Sequence, residues 1–198
     1  ACSKRMDERR DLRMKKQLKR WMAVVTASAM LCAIWLTSMP VSAVWDKYPV
    51  GDMCVLRYNL ESNGTATIVG FEAKVNRIDL VIPQTINGHT VSQIAPMAFW
   101  GCDNLVSVSI PSSVKTIGKQ AFARCKKLEN VKMADDGINK IESSAFMYCE
   151  SLTQLEFPDS VNTLEDHVCA WCENLSDVTL PKGIDEIRPQ LFQNCGAL

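Results

Sequence analysis

A nine-residue block recurs five times along the chain, as Ile94–Cys102 (IAPMAFWGC), Ile117–Cys125 (IGKQAFARC), Ile141–Cys149 (IESSAFMYC), Leu164–Cys172 (LEDHVCAWC) and Ile187–Cys195 (IRPQLFQNC). The closing cysteines are 23, 24, 23 and 23 residues apart. A unit this short cannot bury an apolar face by itself, so its copies must stack and share one continuous core. Three residues after each of the first four blocks a Leu opens a strand-like alternation: Leu105 with Val108 and Ile110, Leu128 with Val131 and Met133, Leu152 with Leu155 and Phe157, Leu175 with Val178 and Leu180. The period of two turns Val108 and Ile110 inward and Ser107 and Ser109 outward. Pro111, Pro158 and Pro181 end three of these strands, and the extra residue of the 24-step falls in Ala134–Gly137, where the other repeats turn. A turn is where a stacked repeat tolerates insertion.

In the longer segment Ala121, Phe122, Cys125 and Leu128 recur at helical spacing, which predicts a helical stretch packed behind each strand. The fold class expected is therefore an α/β solenoid with parallel strands, a leucine-rich repeat array of 23–24-residue units. The pattern AFxxCxxLxxVxIPxxVxxI over about residues 66 to 198 resembles the BspA-like leucine-rich repeats of bacterial surface proteins. That resemblance implies a secreted or surface-displayed binding protein, some relatives adhering to host extracellular proteins, and no catalytic residues. Val168 and Cys169 stand where the family has Ala and Phe, and Leu191 stands in the Ala column; these departures leave the register intact.

Charge divides the chain. Residues 1–43 hold nine Lys/Arg against three Asp/Glu, and residues 44–198 hold thirteen against nineteen. From Met14, a basic stretch (Lys15, Lys16, Lys19, Arg20), an apolar stretch and the small-residue site Val41-Ser42-Ala43 read in order as a secretory signal. Residues 1–43 are thus expected to be pre-sequence and signal, starting at Met14 and cleaved after Ala43. The alternative is an uncleaved anchor, since Trp21–Met39 carries no charge and is just long enough to span a bilayer. Residues 44–75 should form an N-terminal cap hairpin turning at Asn63-Gly64, with repeats from 76 to 198. Leu198 falls in the Leu column ahead of a further strand, so a fragment of a longer protein is expected. The acidic repeat region argues against nucleic-acid partners and against membrane contact after signal removal.

Cys169 and Cys172 form a CxxC, but no second ligand pair follows at zinc-site spacing, and Cys172 belongs to the column Cys102, Cys125, Cys149, Cys172, Cys195. That column reads as a buried ladder of small apolar side chains. His167 lies two residues from Cys169, a spacing that does not bring side chains together on a helix. No metal site, cofactor or catalytic group is expected. The candidate binding residues are the outward strand positions Ser107, Ser109, Asn130, Lys132, Gln154, Glu156, Asp177 and Thr179. They offer one cation, two anions and no aromatic anchor, so the expected partner is extended: an extracellular protein or glycan surface, such as host matrix, held through protein–protein contact or adhesion. Two alternatives are a targeting module for an exported enzyme whose catalytic domain follows Leu198, and a structural spacer.

Overall fold

The computed structural model describes residues 46–184 and 186–198. The expected signal peptide, with its start at Met14 and cleavage after Ala43, lies outside the described residues. Among the described residues thirteen strands follow one another: β1 (Asp46–Val50), β2 (Cys54–Leu60), β3 (Ala66–Ala73), β4 (Ile78–Val81), β5 (Thr85–Ile86), β6 (His89–Ile94), β7 (Leu105–Ile110), β8 (Thr116–Ile117), β9 (Asn130–Met133), β10 (Lys140–Ile141), β11 (Gln154–Glu156), β12 (Thr163–Leu164) and β13 (Asp177–Thr179). β1, β2 and β3 pair antiparallel, with Leu60 opposite Ala66 across the turn that holds Gly64 at φ +81°. β3 then pairs in parallel with β6, and from there β8, β10 and β12 extend one parallel ladder. The longer strands build a second parallel face in two pieces, β4-β7-β9 and β11-β13.

Each coil has a third side, and it differs from the expected helix: among the described residues the nine-residue blocks form consecutive turns. Alternate amides leave the coil. Met97, Phe99 and Gly101 donate to the carbonyls of Lys119, Ala121 and Ala123 in the next coil at 3.0, 2.8 and 2.8 Å, and the amides between them, of Ala98, Trp100 and Cys102, reach carbonyls three residues back. Gln120, Phe122 and Arg124 repeat this toward Ser143, Ala145 and Met147, and Ser144, Phe146 and Tyr148 toward Asp166, Val168 and Ala170. Two columns have left-handed backbone: Met97, Gln120, Ser144, His167 and Gln190, then, four residues on, Gly101, Arg124, Tyr148, Trp171 and Asn194. A right-handed helix cannot contain a left-handed residue at every fourth position, and each one costs a non-glycine residue about 1–2 kcal/mol. A block this short is also below the ~12–15 residues at which an isolated helix becomes marginally stable. Bonding coil to coil satisfies its amides instead, and the spacing of Ala121, Phe122 and Cys125 suits two turns in series as well as it suits a helix.

These turns aim the core. Phe99, Phe122 and Phe146 are fully buried and stack in file, with centroids 4.9 and 5.4 Å apart and planes within 7° and 5° of parallel. Phe71 of β3 extends the file at 5.4 Å from Phe99. The column cysteines lie beside it, and four of the five thiols donate to a carbonyl of the preceding coil: Cys125 to Phe99 at 3.0 Å, Cys149 to Phe122 at 3.3 Å, Cys172 to Phe146 at 3.1 Å and Cys195 to Cys169 at 3.0 Å. A cysteine therefore fills a small apolar site and also hydrogen-bonds a carbonyl there. The seven described cysteines are all free thiols, with Cys54, Cys125, Cys149, Cys169 and Cys172 buried and Cys102 and Cys195 half-buried. Burial pushes the Cys149 and Cys169 thiols well up, away from the reactive thiolate. Alkylation of native protein followed by peptide mapping should modify Cys102 and Cys195 first and leave the five buried thiols untouched until denaturant is added. Rapid labelling of Cys172 would contradict this packing.

Carboxylates also connect the coils. Glu142 accepts the Lys119 amide and Glu165 the Ser143 amide, each at 3.0 Å, and Lys140 joins both carboxylates at 3.1 and 2.8 Å. Lys140, and after it the Ser143 amide, hold the Glu165 carboxyl below its ordinary range despite partial desolvation. A carboxyl depressed in the folded state contributes stability above its unfolded pKa of about 4.3, and loses it as pH falls through the folded value. Glu165→Gln should therefore lower the melting temperature near neutral pH and reduce its drop on acidification, as scanning calorimetry at about pH 6 and about pH 3 would measure. An unchanged acid drop would show that Glu165 does not contribute to it.

Candidate functional site

The strand face arises because β7, β9, β11 and β13 alternate side chains packed on the core with outward ones. Leu105, Val106, Val108 and Ile110 of β7 and Leu155 of β11 are buried, Val131 of β9 and Val178 of β13 are half-buried, and Ser107, Ser109, Asn130, Lys132, Gln154, Glu156, Asp177 and Thr179 lie at the alternate positions. Parallel pairing then aligns the outward residues in columns. Ser107 lies opposite Asn130 and Ser109 opposite Lys132, and in the second piece Gln154 lies opposite Asp177 and Glu156 opposite Thr179. The eight candidate positions thus occupy one face. Ser107 and Ser109 are half-buried, the other six are exposed, and the Ser107 hydroxyl donates to Asp79 at 2.6 Å.

The two sheet pieces meet between β9 and β11, where the ladder is interrupted. This is the step at which the 24-residue unit carries its extra residue. Gly137 there sits against Ser112, and a Cβ on it would lie 2.8 Å from Ser112 Cα. A hollow of about 530 Å³ opens over the junction, lined by Asn130, Lys132, Gln154, Glu156, Asp177 and Thr179 together with Asp135 and apolar neighbours. Six of the eight candidate positions line it, and Ser107 and Ser109 flank it on β7. One cation and three carboxylates, Asp135, Glu156 and Asp177, give the hollow a mixed but net acidic character. Its apolar floor includes Val131, Met133, Leu155 and Pro158.

A second feature escaped the sequence reading. On the turn side the Tyr148 and Trp171 rings stack at 5.5 Å with planes 18° apart. The Arg124 guanidinium lies over the Tyr148 ring at 5.0 Å and over the Trp100 ring at 5.9 Å. Trp100, Arg124, Tyr148 and Trp171 therefore form one continuous row across four coils, with Trp100 47% and Trp171 37% exposed. The signal was the residue before each column cysteine, which reads Gly, Arg, Tyr, Trp and Asn through the five blocks. His167 joins no such grouping; its ring bonds Asp166 at 2.9 Å.

A family model for the BspA type leucine-rich repeat region matches residues 71–198 in six copies. The chain belongs to this family. Among solved structures, this BspA-type repeat protein is similar to a leucine-rich repeat protein of T. pallidum, at 34% identity and a TM-score of 0.68, covering 77% of this chain and 69% of that one. A leucine-rich repeat protein of Bacteroides ovatus aligns at 26% identity with a TM-score of 0.57, over 76% of this chain and 45% of that one. A leucine-rich cell surface protein of Faecalibacterium prausnitzii shares the fold at 24% identity and a TM-score of 0.51, over 77% of this chain and 53% of that one. No curated protein matches the chain.

Proposed function

We propose that this BspA-type chain is a protein-binding module displayed on or secreted from a bacterial cell, and that it grips its partner through the strand face. The observation that carries this reading is the hollow at the β9/β11 junction. It places six outward strand residues around an apolar floor, so polar groups that fix orientation surround a surface that gains from burial. Repeat arrays bind through such extended faces, and leucine-rich repeats of this kind bind rather than catalyse. The family match and the cell-surface relative support an extracellular setting, and host matrix protein is the partner class proposed.

Affinity on this face comes from area. The face carries no Trp, Tyr or Arg anchor among its eight positions, so each contact is worth little and the sum decides. Replacing Lys132, Gln154 and Glu156 together with Ala should weaken solid-phase binding to matrix glycoproteins at least tenfold. The melting temperature should hardly move, since exposed substitutions usually change stability by under about 0.5 kcal/mol each. Undiminished binding by the triple variant would remove the strand face from consideration.

A further inference from the structure

The aromatic row on the turn side stands apart from the strand face and has chemistry of its own. Every residue in its column has a left-handed backbone, and the outer coils carry the residues that such a backbone favours: Gly101 in the first and Asn194 in the last. The three coils between carry Arg124, Tyr148 and Trp171. The repeat turn imposes this backbone in every coil, and the three middle coils carry a cation and two large rings on it where Gly or Asn would fit with less strain. The side chains do not offset the strain by entering the core, because Arg124 and Trp171 are exposed and Tyr148 is half-buried.

Arg124 gives the row its specificity. Its guanidinium is held between two rings, and among the described residues no carboxylate pairs with it. Arg124 is exposed, and a guanidinium is a rigid planar fork of N–H donors that matches the two oxygens of a carboxylate. Around the fork the charge has the opposite sign. Two residues beyond the row's column stand Asp103, Glu150 and Glu173, with Lys126 among them already bound to Glu150 at 2.8 Å. Those carboxylates repel a polyanion or a strongly acidic peptide and leave room for one isolated carboxylate. The rings at the two ends of the row, Trp100 and Trp171, are the exposed ones, and this aromatic surface can take the C–H groups of a pyranose while its hydroxyls stay free for hydrogen bonds.

From this we propose that Trp100, Arg124, Tyr148 and Trp171 form a binding site for an acidic sugar at the end of a glycan chain, of the sialic acid type, with its carboxylate on Arg124. The site binds without chemical change and acts independently of the strand face.

The test is calorimetric titration of the full chain with 3′-sialyllactose, with lactose and N-acetylglutamate as comparison ligands. Chemical shifts of the Arg124 Nε–H and the Trp100 and Trp171 indole N–H are followed in parallel. The expected result is saturable binding of 3′-sialyllactose in roughly the millimolar range, at least tenfold weaker binding of the other two, and shifts confined to the row. Arg124→Lys keeps the charge but removes the fork, and should weaken binding at least tenfold. Tyr148→Asn and Trp171→Asn should also weaken it, and neither should lower the melting temperature, because Asn accepts the left-handed backbone. Equal binding of lactose, equal binding of N-acetylglutamate, no saturation by 3′-sialyllactose, or full affinity in Arg124→Lys would each overturn the proposal. N-acetylglutamate binding would point to protein carboxylates instead of a glycan.

Discussion

Replacing Phe122 with Ala should destabilise the repeat region by about 3–5 kcal/mol, the range for removing a buried aromatic from a core. Phe122 has no exposed surface and is sandwiched between Phe99 and Phe146, so its loss opens a cavity and breaks two ring contacts at once. The neighbouring coils cannot close over the gap, because the amides of Phe99 and Phe122 fix the coil spacing through bonds of 2.8 Å to Ala121 and Ala145. Coil four shows how the column can accept less: Cys169 replaces the ring, Val168 replaces the adjoining alanine, and both are fully buried. Transferring that pair to coil two, as Ala121→Val with Phe122→Cys, should recover part of the loss. Urea denaturation followed by near-ultraviolet circular dichroism measures both variants. A Phe122→Ala protein that unfolds within about 1 kcal/mol of the parent would contradict the stacked core.

A methyl group on Gly118 should be almost as damaging, at about 3 kcal/mol. A Cβ there would lie 2.6 Å from the Pro96 nitrogen, 2.7 Å from the Ala95 carbonyl carbon and 2.8 Å from the Ile94 oxygen, all backbone atoms that cannot swing aside. The equivalent positions in the next two coils are Glu142 and Glu165, whose carboxylates accept an amide of the preceding coil. In front of Gly118 that amide position is Pro96, which has no N–H to donate. The carboxylate would have no partner and the coils approach closely, so only Gly fits. Gly183→Ala is the matched control: nothing lies within 4 Å of a Cβ there, and its melting temperature should stay level or rise. Similar losses at both glycines would mean that the close approach at Gly118 is not a constraint.

The repeat spacing and the strand alternation were legible in the sequence because each reflects burial alone. A residue that must point inward every second position, or once per coil, leaves the same trace in every copy. The turn side was not legible in that way. Ala121, Phe122 and Cys125 fit a helix and a pair of turns equally, and the choice between them depends on where the amides of Phe122 and Arg124 find acceptors, which is in another coil. Periodicity within one segment carries no information about bonds between segments. The aromatic row was hidden because it forms between coils, with Trp100 one position ahead of the column that Arg124, Tyr148 and Trp171 share. The reason for cysteine in its column was hidden likewise, because the carbonyl that Cys125 bonds belongs to Phe99, 26 residues earlier.

The strand face is the surface proposed to engage a protein partner, and amide exchange read by mass spectrometry tests this most directly. The full chain would be compared alone and bound to an enzymatically desialylated matrix glycoprotein that it captures in solid phase, so that the aromatic row is left out of the contact. Slower exchange is predicted at 130–133, 154–156 and 177–179, with the turn segments 119–125 and 142–149 unchanged. Protection confined to the turn segments, with the strand face exchanging as in the free protein, would contradict it.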